Sequence, residues 1–156
     1  MSLRLRRLVD ADLDSVFEWE RNSLAVQLAA FPQRPVEPGR VRRLLSERQE
    51  RRVECPACSG TERASAGTVA SFTVDGDREV SYWIDPARWG EGLATAALAA
   101  LFTVETTRPL FARVAEHNVG SAKVLDRAGF VRVGAENSYV NGLGRHITEH
   151  IYQLSA

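Results

Sequence analysis

Several residue groups in this 156-residue sequence have the types and spacing for chemistry. Gly90 and Gly92 flank Glu91 in "YWIDPARWGEGLATAAL", where an apolar β-type run stops at Asp85 and Pro86 and an Ala/Leu helix pattern begins after Gly92. A strand that hands over to a helix through such a turn leaves the first helical N–H groups unpaired and aimed at one point. The positive helix end adds to those donors, and glycine lets a bulky anion reach the backbone, so the junction suits a phosphate. An ordinary tight turn would use the same two glycines, and the junction alone does not choose between them. Cys55-x-x-Cys58 and His146-x-x-x-His150 superficially resemble zinc ligands. "HITEHIYQL" has strand composition, however, which would set the histidines about 13 Å apart at roughly 3.3 Å per residue, too far to chelate one ion. No metal is expected. Trp19, Trp83 and Trp89 present faces for ring stacking, with core packing the default for the first two.

The elements that must position these groups follow from periodicity. Leu3 to Val9 reads as a strand, and "DADLDSVFEWE" as a helix with Asp10 or Asp12 as N-cap. Pro32, Pro35, Pro38 and Gly39 break the chain before a second, charged helix in "RVRRLLSERQER". Arg52 to Gly67 suggests a ragged edge strand and a loop. "TVASFTV" and "REVSYWI" surround Asp75-Gly76, a favoured hairpin dipeptide, and predict adjacent antiparallel strands. A helix from Leu93 to about Glu105, a strand over Leu110 to Ala115 and a helix capped by Asn118 follow. That last helix ends at Gly129, with Phe130 packing back on Leu125. Two strands, "FVRVGAE" and "HITEHIYQL", close the order β-α-α-β-β-β-α-β-α-β-β.

Composition narrows the function classes. A chain of this length with 44% hydrophobic residues has the size of one globular domain, residues 1–156. Lys plus Arg balances Asp plus Glu at 20 each, so no global field holds nucleic acid or an anionic membrane. "RVRRLLSERQERR" interleaves glutamates and reads as a solvated face. The sequence has no 18-residue apolar run and no secretory leader pattern, and two cysteines fit a reducing compartment, so a cytoplasmic protein is expected. The glycine loop lacks the Lys-Ser/Thr pair of a P-loop and is too short for the three-glycine dinucleotide fingerprint. A diphosphate held by main-chain donors without a metal remains.

"REVSYWIDPARWGEGLATAAL" and "VAEHNVGSAKVLDRAGFVRVG" resemble the fourth strand with its pyrophosphate loop, and the following strand-helix-strand segment, of the GNAT superfamily of acyl-CoA-dependent N-acyltransferases, in its RimJ/RimL-like branch. The resemblance spans essentially the whole chain. It implies a mixed, mostly antiparallel, splayed sheet flanked by helices, with acetyl-CoA as co-substrate. The loop and first helical turn, Trp89, Gly90, Glu91, Gly92, Leu93, Ala94 and Thr95, would hold the diphosphate, and main chain near Trp83, Ile84 and Asp85 the pantetheine arm. Trp89 replaces the usual Gln or Arg; Glu91 must point to solvent or an arginine; Leu125 stands where many relatives carry a tyrosine acid.

By the same resemblance Ser121 meets the departing thiolate and Asn118 belongs to the coenzyme site, while Asn118 is equally an N-cap and Ser121 an ordinary first-turn residue. Glu79 opens the fourth strand where some GNAT enzymes place a catalytic glutamate; a solvent-facing hairpin glutamate is its alternative. The function implied is acetyl transfer to a primary amine, on a small molecule or a protein N-terminus such as that of a ribosomal protein, by a monomer or homodimer. A non-catalytic acyl-CoA sensor is the alternative.

Overall fold

Asp75 and Gly76 both take positive φ, 49° and 91°, the mirror-image turn whose twist matches its flanking strands. They join β3 (Ser65–Val74) to β4 (Asp77–Ile84) in unbroken antiparallel register from Gly67↔Ile84 to Val74↔Asp77, as the sequence predicts. The computed structural model describes residues 3–29, 51–54, 65–140 and 143–156. Within these, β1 (Arg4–Arg7) is followed by a 3-10 turn (Asp10–Asp12), α1 (Leu13–Arg21) and α2 (Ser23–Ala29), then β2 (Arg51–Glu54) and the β3–β4 hairpin. A second 3-10 turn (Pro86–Arg88) precedes α3 (Leu93–Phe102), β5 (Leu110–Ala115), α4 (Val119–Arg127), β6 (Val131–Val140) and β7 (Arg145–Leu154).

The seven strands form one sheet in the order β1-β2-β3-β4-β5-β7-β6. Every pair is antiparallel except β4 with β5, which the α3 crossover makes parallel. This is the mixed, mostly antiparallel sheet flanked by helices that the sequence implies. The core lies between the sheet and α3 with α4. Leu93, Ala97, Leu98 and Leu101 of α3 and Leu125 of α4 pack with Val69, Val80, Ile84, Leu110 and Phe130, all buried. Each fully buried leucine contributes about 1.5–3 kcal/mol, which is why α3, apolar nearly all round, holds so firmly.

The parallel pair is short. Only Arg78↔Leu110 and Glu79↔Phe111 are in register before β4 and β5 diverge. An ionic latch closes the apex: Arg78 Nε donates to Glu105 Oε2 at 2.9 Å, and its Nη2 to Ser71 Oγ at 2.9 Å. Burial pushes the Glu105 carboxyl up, but hydrogen bonds from Ser71, Thr107 and Arg78 outweigh it and hold the group at about 2.

The structure corrects several local expectations. Asp12 does not cap α1 with its side chain; its carboxylate accepts from Val9 N–H at 2.9 Å and pairs with both Arg6 nitrogens at 2.7 Å. The helix α2 begins after Asn22, whose Oδ1 accepts from Ala25 N–H, and was not foreseen. α3 ends at Phe102 rather than near Glu105, and β2 lies between β1 and β3 rather than at an edge. The charged helix expected in "RVRRLLSERQER" and the pair Cys55 and Cys58 fall outside the described residues, apart from Arg51. His146 and His150 are on β7, and among the described residues no cluster of His, Cys, Asp and Glu could hold a metal. No described helix is long and apolar enough to cross a membrane.

Candidate active site

Asp85 stops β4 by accepting from Ala87 N–H at 3.0 Å, and Pro86 opens the 3-10 turn that leads into the glycine loop. Trp89 Nε1 donates to Ile84 O at 2.9 Å and ties the loop back to the strand. Gly90 and Gly92 have φ of 85° and 76°, and Gly92 is the N-cap of α3. A Cβ at either would meet nothing within 4 Å, so the backbone conformation demands glycine while the space beside it stays open. The first intrahelical bond runs from Ala96 N–H to Gly92 O, leaving the N–H groups of Leu93, Ala94 and Thr95 without helical acceptors, and no side chain caps them. Glu91 is drawn off by Arg88, at 2.7 Å.

α4 starts from β5 in a parallel way but caps itself. Asn118 Oδ1 accepts from Ser121 N–H at 3.1 Å. The helix ends with Phe130 N–H on Leu125 O and Gly129 N–H on Asp126 O, at 3.0 and 3.1 Å, the Schellman pattern the sequence implies.

Between the two helix starts and the free edge of β4 lies a cleft of about 550 Å³, lined by Ile84, Trp89, Gly90, Gly92, Ala94 and Thr95 on one side. Arg88, Lys123 and Arg127 also line it, three cations that sequence reading passed over; Lys123 and Arg127, four apart on α4, were the available signal. A smaller cavity of about 100 Å³, lined by Ser81, Arg113 and Val114, continues into the gap between β4 and β5. Tyr82, Trp83, Asn118 and Ser121 border both and form the wall that the two spaces share.

Register decides which main-chain groups face that gap. Asp85 N–H donates to Ala66 O at 2.9 Å, which by alternation turns Trp83 and Ser81 main chain toward β3 as well. Val80 turns the same way but is spent on the last β4–β5 bridge, so the edge beyond it belongs to Tyr82 and Ile84. Trp83 and Asp85, expected to offer main chain there, do not; Ile84 offers its N–H alone, because its carbonyl already accepts from Trp89 Nε1.

Glu79 is not a solvent-facing hairpin residue. It is 8% exposed, and its carboxylate accepts from Arg113 Nε at 3.2 Å, while Arg113 Nη1 reaches Glu136 at 2.5 Å. Hydrogen bonding to Glu136, opposed by desolvation and aided by Glu79, raises the Arg113 pKa. Leu125 is wholly buried. A phenol reaches the site from another element: Tyr82 Oη lies 2.5 Å from Ser121 Oγ. Its residue type in the fourth strand was visible in the sequence, its partner 39 residues on was not.

Residues 2–131 match the family described as Acetyltransferase (GNAT) domain. This chain belongs to the GNAT acetyltransferase family. Family membership makes acetyl-CoA its acyl donor. No curated protein matches it in sequence. Solved structures share its fold. A phosphinothricin acetyltransferase from Sinorhizobium meliloti, in complex with acetyl-CoA, superposes at TM-score 0.82 with 21% identity over 99% of this chain and 89% of the other. Ribosomal-protein-alanine N-acetyltransferase from Brucella melitensis gives 0.80 with 18% identity over 98% and 99%. Spermidine N-acetyltransferase from Vibrio cholerae, with CoA and spermine, gives 0.74 with 22% identity over 98% and 95%.

Proposed function

We propose that this acetyltransferase moves the acetyl group of acetyl-CoA to a primary amine, with the donor in the larger cleft and the amine entering through the gap between β4 and β5. The observation that carries the reading is that Ser121 lines two adjoining cavities, one leading to unpaired helical N–H groups and the other into the sheet. The donor supplies an activated thioester. Main-chain N–H groups of Leu93, Ala94 and Thr95 hold its diphosphate, with Lys123 and Arg127 adding positive charge beside them. The main chain of Tyr82 and the N–H of Ile84 align the pantetheine arm much as an added strand would be aligned. Ser121 faces the sulfur. Asn118 supports it through the backbone and borders the same site.

The attacking amine must be neutral, and an N-terminal amine, with an ordinary pKa of about 7.7–8.0, needs less help than a lysine at about 10.4. In this reading Glu79 takes the amine proton through water: it lines neither cavity itself, but its carboxylate accepts from Arg113, which lines the smaller one. Among acceptors, the RimJ/RimL-like reading favours a protein N-terminus, in line with the likeness to the ribosomal-protein-alanine enzyme; a small amine is its competitor, in line with the likenesses to the phosphinothricin and spermidine enzymes.

Thiol release from acetyl-CoA, measured with an N-terminal alanyl peptide, spermine and phosphinothricin, tests the reading. Turnover of one of them, lowered about 100-fold or more in Glu79→Gln, is expected. Acetyl-CoA binding without thiol release on any amine would instead mark a sensor.

A further inference from the structure

α4 carries no phenol toward the cleft, because residue 125 is a leucine sealed in the core. The sheet supplies one from the opposite wall. Tyr82 leaves β4 on the same face as Val80 and Ile84, and its Oη comes within 2.5 Å of Ser121 Oγ and 3.2 Å of Ser121 O. A single phenolic proton serves one of these acceptors well. Given to the carbonyl, it forces the Ser121 proton into the 2.5 Å contact, facing away from the cleft. Given to Oγ, the shorter contact, it leaves the serine's own O–H free to point elsewhere. Ser121 borders both cavities, and Tyr82 is the one partner of its Oγ among the described residues, so the free direction is the one open to the cleft.

We propose that Tyr82 is a positioning residue which, by donating Oη–H to Ser121 Oγ, aims the Ser121 hydroxyl at the sulfur that departs when the thioester breaks. The inference rests on the acyl-transfer reading above. As the new C–N bond forms, the C–S bond breaks with its electron pair on sulfur; the nitrogen sheds one proton through water to Glu79, which passes it to solvent, and the thiolate takes one from solvent to leave as CoA thiol. Neither hydroxyl ionises. Burial pushes the Tyr82 phenol up to about 12, although its bond to Ser121 pulls it back, whereas a free thiol titrates near 8.5. The sulfur therefore draws a hydrogen bond from Ser121 and not a proton, and a donor already oriented needs no rearrangement as charge develops.

The test uses acetyl-CoA with hydroxylamine, a small amine largely uncharged at pH 7, whose attack waits on no prior deprotonation. Thiol release is followed by colour, and acetyl-CoA affinity separately by calorimetry. In Tyr82→Phe the expected result is a kcat down about 10–30-fold with affinity for acetyl-CoA within threefold. In Ser121→Ala the fall is larger, about 100-fold, of the order seen when one transition-state donor is deleted. The double variant matches Ser121→Ala alone, since the two hydroxyls act as a unit; a merely structural tyrosine would add its own loss. If Tyr82→Phe melts early, 3-fluorotyrosine at position 82 keeps the shape with a more acidic phenol, and a changed kcat is expected. Wild-type kcat in either Tyr82 variant, or additive losses in the double variant, overturns the proposal. So does a wild type that binds acetyl-CoA yet releases no thiol. A wild type that binds no acetyl-CoA at all brings down the reading of the cleft itself.

Discussion

α3 and α4 both begin beside the cleft after a parallel strand, and they treat their first N–H groups in opposite ways. At α3 the N-cap is Gly92 in the left-handed region, no side chain caps the turn, and a Cβ would point into open space. At α4 the N-cap is Asn118, whose own amide oxygen takes up Ser121 N–H. Free helical donors are costly unless something pairs them. The first helix leaves its donors open, which under the proposed function is the place of the diphosphate, and the second fills the role from within and holds a side chain still. The glycine and the asparagine are the chemical statement of that division.

Putting a side chain on the open terminus attacks the comparison where it is strongest. In Gly92→Val a branched residue must adopt φ near 76°, which costs about 1–2 kcal/mol in stability. Its side chain also enters the open space beside the loop, where the proposed function places the diphosphate. Acetyl-CoA affinity by calorimetry is expected to drop about 100-fold, or about 2.7 kcal/mol, on top of the lost stability. Wild-type affinity in a folded Gly92→Val would show that the donors of α3 are not the diphosphate site.

A smaller effect, shared by both helices, comes from the apex of the wedge. Removing the charge in Glu105→Gln weakens bonds from Arg78, Ser71 and Thr107 and is expected to cost about 2–3 kcal/mol in chemical denaturation. The pH dependence has a definite sign. The folded carboxyl is held at about 2, below its ordinary 4.5, so its stabilisation is complete above 4.5 and fades as pH falls from there toward 2. The wild type should therefore lose stability between those values more steeply than Glu105→Gln. Equal slopes would remove the latch from the account, and a selective loss of acetyl-CoA binding would tie the apex to one helix rather than both.

What the sequence disclosed and what it hid divide along the same line of local against distant. The Asp75-Gly76 hairpin, the loop into α3 and the capped, Schellman-ended α4 were legible because each is specified by residues within a few positions of one another. Even the alternation of β4 was legible, yet its hydrogen-bonding phase was not: only the Asp85 to Ala66 bond shows that Ile84, and not Trp83 or Asp85, offers main chain to the gap. Glu79, a candidate base from the resemblance, kept a hairpin glutamate as its alternative because Arg113 is 34 residues away, and Asp12 looked like a cap because nothing local revealed Arg6 as its partner. Tyr82 escaped notice for the same reason. Pairing across the sheet obeys tertiary packing, which propensity and spacing do not encode.

The self-capped terminus offers the smallest effect and the sharpest control. Asn118→Ala removes the oxygen that accepts from Ser121 N–H and should cost about 1 kcal/mol, within the range for losing an N-cap. In a chain of this size that lowers the melting temperature by about 2–4 °C. Acetyl-CoA affinity should change less than threefold, because the donors of α3 are untouched, while kcat should fall modestly as Ser121 loses the bond that steadies its backbone. Asn118→Asp restores the acceptor and places a negative charge at a positive helix end, so it should recover the melting temperature. Calorimetry and thermal melting on the two variants separate the possibilities: if Asn118→Ala lost affinity as Gly92→Val does, the asparagine would itself be holding the ligand, and the two termini would be doing the same work.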